Sequence, residues 1–200
     1  MKFEITVIGA SKGGLQALEV ILAGLPSSLP MAVAIAQHRH KFSSSQLLAC
    51  LQRQSLLPVV EAEDKQAILP GQVYLAPADY HLLVEPGHFA LSTEAPVVFA
   101  RPSIDVLFES AADAYGERVI GIILTGASDD GAQGLAKIMA HGGLAIVQEP
   151  VEAVSRTMPD AAIAAVTTAK ILPLTEIAPV LVNQCSSYFP IPYARIEDER

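Results

Sequence analysis

A hydroxyl, an imidazole and a carboxylate each stand just past an apolar run: Ser11 after residues 3–8, His38 after residues 31–36 and Asp130 after residues 119–124. These are the groups of acyl transfer: a nucleophile, a base that takes its proton, and a carboxylate that orients the base. Ser11 lies in Gly9-Ala10-Ser11-Lys12-Gly13, which fits the G-x-S-x-G turn between a strand and a helix. Such a turn exposes the serine oxygen and aims the first N–H groups of the helix at a developing oxyanion. The same pentapeptide also suits a structural turn whose serine only caps the helix. His38 shares its loop with Arg39, His40 and Lys41, and His40 is a rival base. In Asp129-Asp130-Gly131, either carboxylate suits a histidine N–H or the N-terminus of the next helix. His81, His88 and His141 are scattered and read as structural. Two histidines at i, i+2 make no metal site without carboxylate or thiolate company.

For these side chains to meet, the runs before them must be neighbouring strands. Residues 3–8, 31–36, 119–124 and 144–148 are near-continuously apolar, and stretches of helical periodicity separate them. Leu15, Leu18, Leu22 and Leu25 form one such face, Leu47, Leu48 and Leu51 a second, and Ile104, Leu107, Phe108, Ala111 and Tyr115 a third. Buried strands between amphipathic helices predict an α/β fold: a doubly wound, mostly parallel sheet with helices on both faces. Pro86-Gly87 predicts an antiparallel hairpin, and residues 57–95 as a whole read as the antiparallel stretch. In an open parallel sheet, ligands gather outside the carboxyl ends of the strands, where the three candidate residues stand. A last helix is expected near residues 175–182. The segment after it carries Pro190 and Pro192 and is expected to be loose, giving a domain over 1–183 and an extension over 184–200.

Composition narrows the partners. With 200 residues, 51% of them hydrophobic and 17% charged, the chain fits one globular domain with a sizeable core and not a disordered one. A net charge of −8 argues against a nucleic-acid-binding face. The two cysteines, Cys50 and Cys185, stand apart with no metal-ligand spacing and read as reduced thiols. No run is long enough to cross a bilayer, and strand-like sequence starts at once after Met1-Lys2, so a cytoplasmic protein without membrane insertion is expected. The proposed chemistry calls for no metal and no organic cofactor.

Several ordered motifs together resemble the catalytic domain of the chemotaxis methylesterase family CheB. They are Gly-Ala-Ser-x-Gly-Gly at 9–14, Gln37-His38, Glu61-Ala62-Glu63-Asp64, Leu69-Pro70-Gly71, Arg101-Pro102-Ser103-Ile104-Asp105, Leu124-Thr125-Gly126 with Asp130-Gly131-Ala132, and Met158-Pro159. The resemblance implies a serine hydrolase that removes γ-glutamyl methyl esters from the cytoplasmic helices of methyl-accepting chemoreceptors, releasing methanol, and that can deamidate receptor glutamines. It maps the catalytic serine, histidine and aspartate onto Ser11, His38 and Asp130, choosing between the rivals that spacing leaves open. It also suggests the backbone N–H groups of Lys12 and Ala127 as oxyanion donors, and Arg39, Lys41 and Arg101 as contacts to an acidic receptor. The chain departs from the family at Lys12, Ala127 and Asp129, where threonine, methionine and asparagine are frequent. The resemblance, over residues 3–182, leaves out the receiver domain, so a protein that is active as made, or controlled by a separate regulatory protein, is expected. Two other readings compete. One is a non-catalytic receptor-binding module. The other is a nicotinamide-dependent short-chain dehydrogenase, whose opening resembles residues 7–13. That family needs Tyr-x-x-x-Lys, but Ala78, Val84, Val119, Pro192 and Glu197 stand four residues after the five tyrosines.

Overall fold

Seven strands form one parallel sheet in the computed structural model, which describes residues 3–39 and 46–186. In chain order the strands are β1 (Ile5–Ala10), β2 (Ala32–Gln37), β3 (Val59–Glu61), β4 (Val73–Leu75), β5 (His81–Glu85), β6 (His88–Ser92), β7 (Val119–Ile123), β8 (Leu144–Gln148) and β9 (Lys170–Leu172). The helices are α1 (Gly14–Ala23), α2 (Gln46–Gln54), α3 (Ile104–Tyr115), α4 (Ala132–Ala140), α5 (Thr157–Ala165) and α6 (Leu174–Ser186). The sheet order is β3-β4-β2-β1-β7-β8-β9, and every pair in it is parallel. The chain winds outward from β1 through β2, then returns to β7 on the other side of β1. The switch point of the doubly wound sheet therefore lies between β1 and β7, and a crevice opens there at the carboxyl ends of the strands.

Alternation along the strands divides the core. Ile8, Ala10, Val33, Ile35, Ile120 and Ile122 pack with Leu18, Ile21 and Leu22 of α1 and with Ile177 and Leu181 of α6. Ile5, Val7, Ala34, Val119 and Ile123 pack with α3, α4 and the hairpin residues Leu82, Val84 and Phe89. Each large aliphatic side chain fully removed from water contributes about 1.5–3 kcal/mol, so both faces of the sheet must stay covered. Among the described residues, no helix is long and apolar enough to cross a membrane.

Two expectations need correction. Residues 57–95 are not antiparallel throughout: β3 and β4 are parallel members of the main sheet, and only β5 and β6 pair antiparallel, as a separate two-stranded sheet. Short apolar strands carry no signature of direction, so the hairpin turn at Pro86-Gly87 wrongly coloured its neighbours. The last helix also passes its expected end and reaches Ser186, because Cys185 adds a buried contact to the core beside Leu181. Residues 187–200, with Pro190 and Pro192, lie outside the described residues.

One contact sets how closely α3 approaches the sheet. A Cβ added to Gly9 in β1 would stand 2.3 Å from Ile104 Cγ2, so the absence of a side chain there lets the first residue of α3 lie against the β1 backbone. Gly9→Ala is expected to destabilise the protein by about 1–3 kcal/mol, the usual cost of overpacking. Gly9→Ala combined with Ile104→Ala should cost less than the two single changes added together. Denaturant unfolding of the four proteins checks this, and simple additivity would show that the contact is not the constraint.

Candidate active site

The carboxyl ends of β1, β2 and β7 bring Ser11, His38 and Asp130 to one edge of the sheet. Gly13 ends the turn after β1 at φ 83°, a left-handed conformation that L side chains rarely adopt, and serves as N-cap of α1. The turn is tied down on several sides. Ser11 N–H donates to the Thr125 carbonyl at 3.0 Å, and Gln37 Nε2 donates to the Ser11 carbonyl at 2.9 Å. The Thr125 hydroxyl donates to the Lys12 carbonyl at 2.8 Å and accepts from Ser155 N–H at 2.9 Å, while Thr125 N–H donates to Gln148 Oε1 at 2.8 Å. Thr125 thus binds the Ser11 turn to β8 and to the loop before α5.

Asp130 is fully buried. It accepts four hydrogen bonds: His38 Nε2 at 2.7 Å and Ile104 N–H at 2.7 Å on Oδ2, and Ser103 Oγ at 2.9 Å and Asp105 N–H at 3.0 Å on Oδ1. It does not cap its own helix. Its carboxylate closes the N-terminus of α3, where the dipole and the unpaired backbone N–H groups favour an anion. Burial works to raise its pKa, but the His38 hydrogen bond, the backbone N–H groups of Asp105 and Ile104 and the charge on His38 outweigh burial and hold it below the ordinary carboxylate value. A carboxylate only accepts, so His38 Nε2 carries the hydrogen of that bond, and in the neutral imidazole Nδ1 is the nitrogen with the lone pair.

His38 is 15% exposed in its side chain and lies between two clefts. One, of about 490 Å³, holds Ser11, Gln37, Leu47 and Cys50; the other, of about 480 Å³, holds Asp79, Phe99 and Arg101. Among the described residues, Ser11 Oγ and the His38 ring share the first cleft without a direct hydrogen bond, a looseness common in unliganded sites. The backbone N–H groups of Lys12 and Ala127 have no acceptor among the described residues, whereas that of Gly126 donates to the Ser155 carbonyl at 3.0 Å. The Lys12 side chain is exposed.

The two arginines line the second cleft and carry partners within the protein. Arg39 is 7% exposed in its side chain, pairs with Glu61 and donates to the Ala76 carbonyl at 2.8 Å. Arg101 donates to Asp79 Oδ1 at 2.6 Å from Nη2, and to the Thr93 and Glu94 carbonyls at 2.7 and 2.9 Å from Nη1. Both charges are met within the protein. His40 and Lys41 lie outside the described residues. Ser103, Thr125 and Gln37 stand in the motifs of the family resemblance with no role given to them there, and nothing local marked Gln148.

The CheB methylesterase family matches residues 6–181. A Leptospira interrogans protein (strain Fiocruz L1-130), provisionally named a protein-glutamate methylesterase/protein-glutamine glutaminase, is 44% identical over 184 residues, covering 92% of this chain and 95% of that protein. A Nocardioides protein-glutamate methylesterase/protein-glutamine glutaminase is 38% identical over 93% of this chain, which spans 52% of that protein. The Myxococcus xanthus protein-glutamate methylesterase FrzG is 36% identical over 90% of this chain, which spans 54% of that protein. The crystal structure of the Thermotoga maritima CheB methylesterase catalytic domain matches with a TM-score of 0.87 at 32% identity, covering 92% of this chain and 100% of that one.

A second carboxylate stands next to Asp130. Asp105, in the first turn of α3, is 6% exposed, and its Oδ1 accepts Gly134 N–H of α4 at 2.8 Å. Burial pushes its pKa up to about 6; the Gly134 N–H opposes this, and the charges of Asp130 and Glu109 add to the rise. Because its folded pKa is raised, Asp105 favours the folded state most at low pH, and that contribution is lost as pH rises through about 6. Asp105→Asn keeps an oxygen for Gly134 without the charge. Its stability relative to the parent should therefore grow by on the order of 2 kcal/mol from pH 4 to pH 8. Urea unfolding at both pH values checks this, and parallel pH dependences would contradict it.

Proposed function

The chain belongs to the CheB methylesterase family, and on that premise we propose that it hydrolyses methyl esters of glutamate side chains, with Ser11 as nucleophile, His38 as base and Asp130 as orienting carboxylate. The observation that carries the reading is the 2.7 Å bond from His38 Nε2 to Asp130 Oδ2, made to a buried carboxylate that three further donors hold in place. That bond fixes the tautomer and leaves Nδ1 as the atom that takes a proton.

Ser11 Oγ attacks the ester carbonyl carbon and its proton passes to His38 Nδ1. The negative charge on the carbonyl oxygen is met by the backbone N–H groups of Lys12 and Ala127, which have no other acceptor among the described residues. The tetrahedral intermediate collapses, the C–O bond to the methoxy group breaks, and the proton on Nδ1 leaves with methanol. Water then attacks the acyl-serine, His38 takes its proton, and collapse frees glutamate and returns the proton to Ser11. With a glutamine substrate the same steps release ammonia. Asp130 stays ionised throughout and stabilises the imidazolium. The proposed substrate is a methylated chemoreceptor in its cytoplasmic helical part. Support for a macromolecular substrate comes from the site: the serine lies in an open cleft and not in a closed pocket.

Methanol release from a methylated receptor fragment tests the proposal. Ser11→Ala and His38→Ala should each abolish turnover, Ser11→Ala with an unfolding midpoint close to the parent's and His38→Ala with a lowered one because buried Asp130 loses a donor, and Asp130→Asn should lower kcat by up to about 10⁴. Replacing exposed Lys12 by Thr should change the rate less than about tenfold, because only its backbone N–H takes part. Full activity of Ser11→Ala would remove serine catalysis altogether.

A further inference from the structure

The cleft on the far side of His38 from Ser11 carries the most exposed large apolar side chain in the described protein. Phe99 is 103% exposed, with Val97 and Val98 at 37% each. Val97 and Ala100 exchange backbone hydrogen bonds at 3.1 and 2.9 Å, leaving Val98 and Phe99 as the two central residues of a hairpin turn. Both have positive φ, 47° and 61°. Such turns select Asn and Gly, and a β-branched or aromatic residue is strained there. Folding gains nothing from Phe99, which buries none of its ring. The turn is nevertheless held firmly, because Arg101 is clamped on Asp79 and on the Thr93 and Glu94 carbonyls at its base. Strain kept at the rim of a cleft, with no benefit to the core, points to a role in binding.

We propose that the Val98–Phe99 turn is a specificity element of the catalytic cleft, whose apolar tip docks on the helix that bears the esterified glutamate. This rests on the methylesterase reading and names the surface that the enzyme recognises. Phe99 and His38 line the same cleft, so a partner seated on Phe99 also lies beside the base. The charges that would grip an acidic helix are spent, Arg39 on Glu61 and Arg101 on Asp79. A methylated glutamate is itself uncharged, and a helical neighbour three or four positions away stands only about 5–6 Å from it. On the Ser11 side, Val154 is 66% exposed and lies against Gly13, where an added Cβ would stand 2.5 Å from its Cβ. It offers the same helix a second apolar contact. The partner predicted by this arrangement is a helix with apolar residues flanking its ester site.

Two variants test the tip. Phe99→Ser removes the ring. Val98→Asn with Phe99→Gly installs the residues that the turn prefers, so its unfolding midpoint should equal or exceed the parent's. Initial rates are measured on a methylated receptor fragment and on p-nitrophenyl acetate. Both variants should hydrolyse the small ester within twofold of the parent, while kcat/KM for the receptor falls about 10- to 100-fold, chiefly through KM, as losing burial of one phenyl ring implies. Unchanged receptor kinetics in both variants would overturn the proposal and leave the methylesterase reading intact. A parent enzyme that cleaves p-nitrophenyl acetate but no receptor ester would overturn both. A dimer in size exclusion that either variant dissolves would assign the tip to a second copy, which also overturns it.

Discussion

A carboxylate with no exposed surface must be met by donors on every side, and the burial of Asp130 is the constraint on which the active-site end of this protein depends. Left unpaired at that depth, the charge would cost several kcal/mol. The four donors come from three places in the chain: the end of β2, the residue ahead of α3, and the first two backbone N–H groups of α3. No one of these elements can shift without exposing part of the charge. His38 is thus oriented by a group that the fold itself needs satisfied. Ser103 shows the economy of the arrangement: its hydroxyl donates to Asp130 and accepts from Val106 N–H, so a single oxygen caps α3 and completes the carboxylate's shell.

The two helices beside the site lock each other. Asp130, just ahead of α4, closes the N-terminus of α3, while Asp105 in α3 closes the N-terminus of α4 through Gly134. Each carboxylate serves a helix other than the one it precedes or belongs to. The exchange brings two negative charges together in the interior, and this opposes the pull of the two helix ends. Asp130 has a histidine partner and remains an anion; Asp105 has only backbone donors, and its pKa rises to about 6. Environment therefore separates two neighbouring aspartates into different protonation behaviour.

Much of this was legible in the sequence because periodicity reports burial. The apolar runs ending before Ser11, His38 and Asp130 are parallel strands, and the helices between them cover both faces. What the sequence hid was pairing across long separations. Asp130 reads locally as a cap for the helix after it, and nothing within several residues shows that it belongs to a helix starting at Ile104. Arg39 and Arg101 look like free cations for the same reason, since Glu61 and Asp79 are 22 residues away from each in the chain. Strand direction at β3 and β4 was equally hidden, because three-residue strands carry too few side chains to show which neighbour they join.

The order of strands also brings the three side chains to one edge of the sheet. Ala10 of β1 pairs with Gln37 of β2, and Ser11 and His38 each follow directly after these paired strand ends. Asp130 arrives from the end of β7, on the other side of β1. Nε2, the ring nitrogen farther from the backbone, reaches Asp130 Oδ2 at 2.7 Å, whereas the Ser11 hydroxyl makes no hydrogen bond to the ring among the described residues. In the familiar serine-protease arrangement the aspartate holds Nδ1 and the serine faces Nε2. Here the carboxylate holds Nε2 instead, so the base role proposed for His38 falls to Nδ1. A side chain substituted for His38 would need a donor nitrogen for Asp130 and a second nitrogen to take a proton. Among the ordinary side chains only imidazole carries two such nitrogens on one rigid ring.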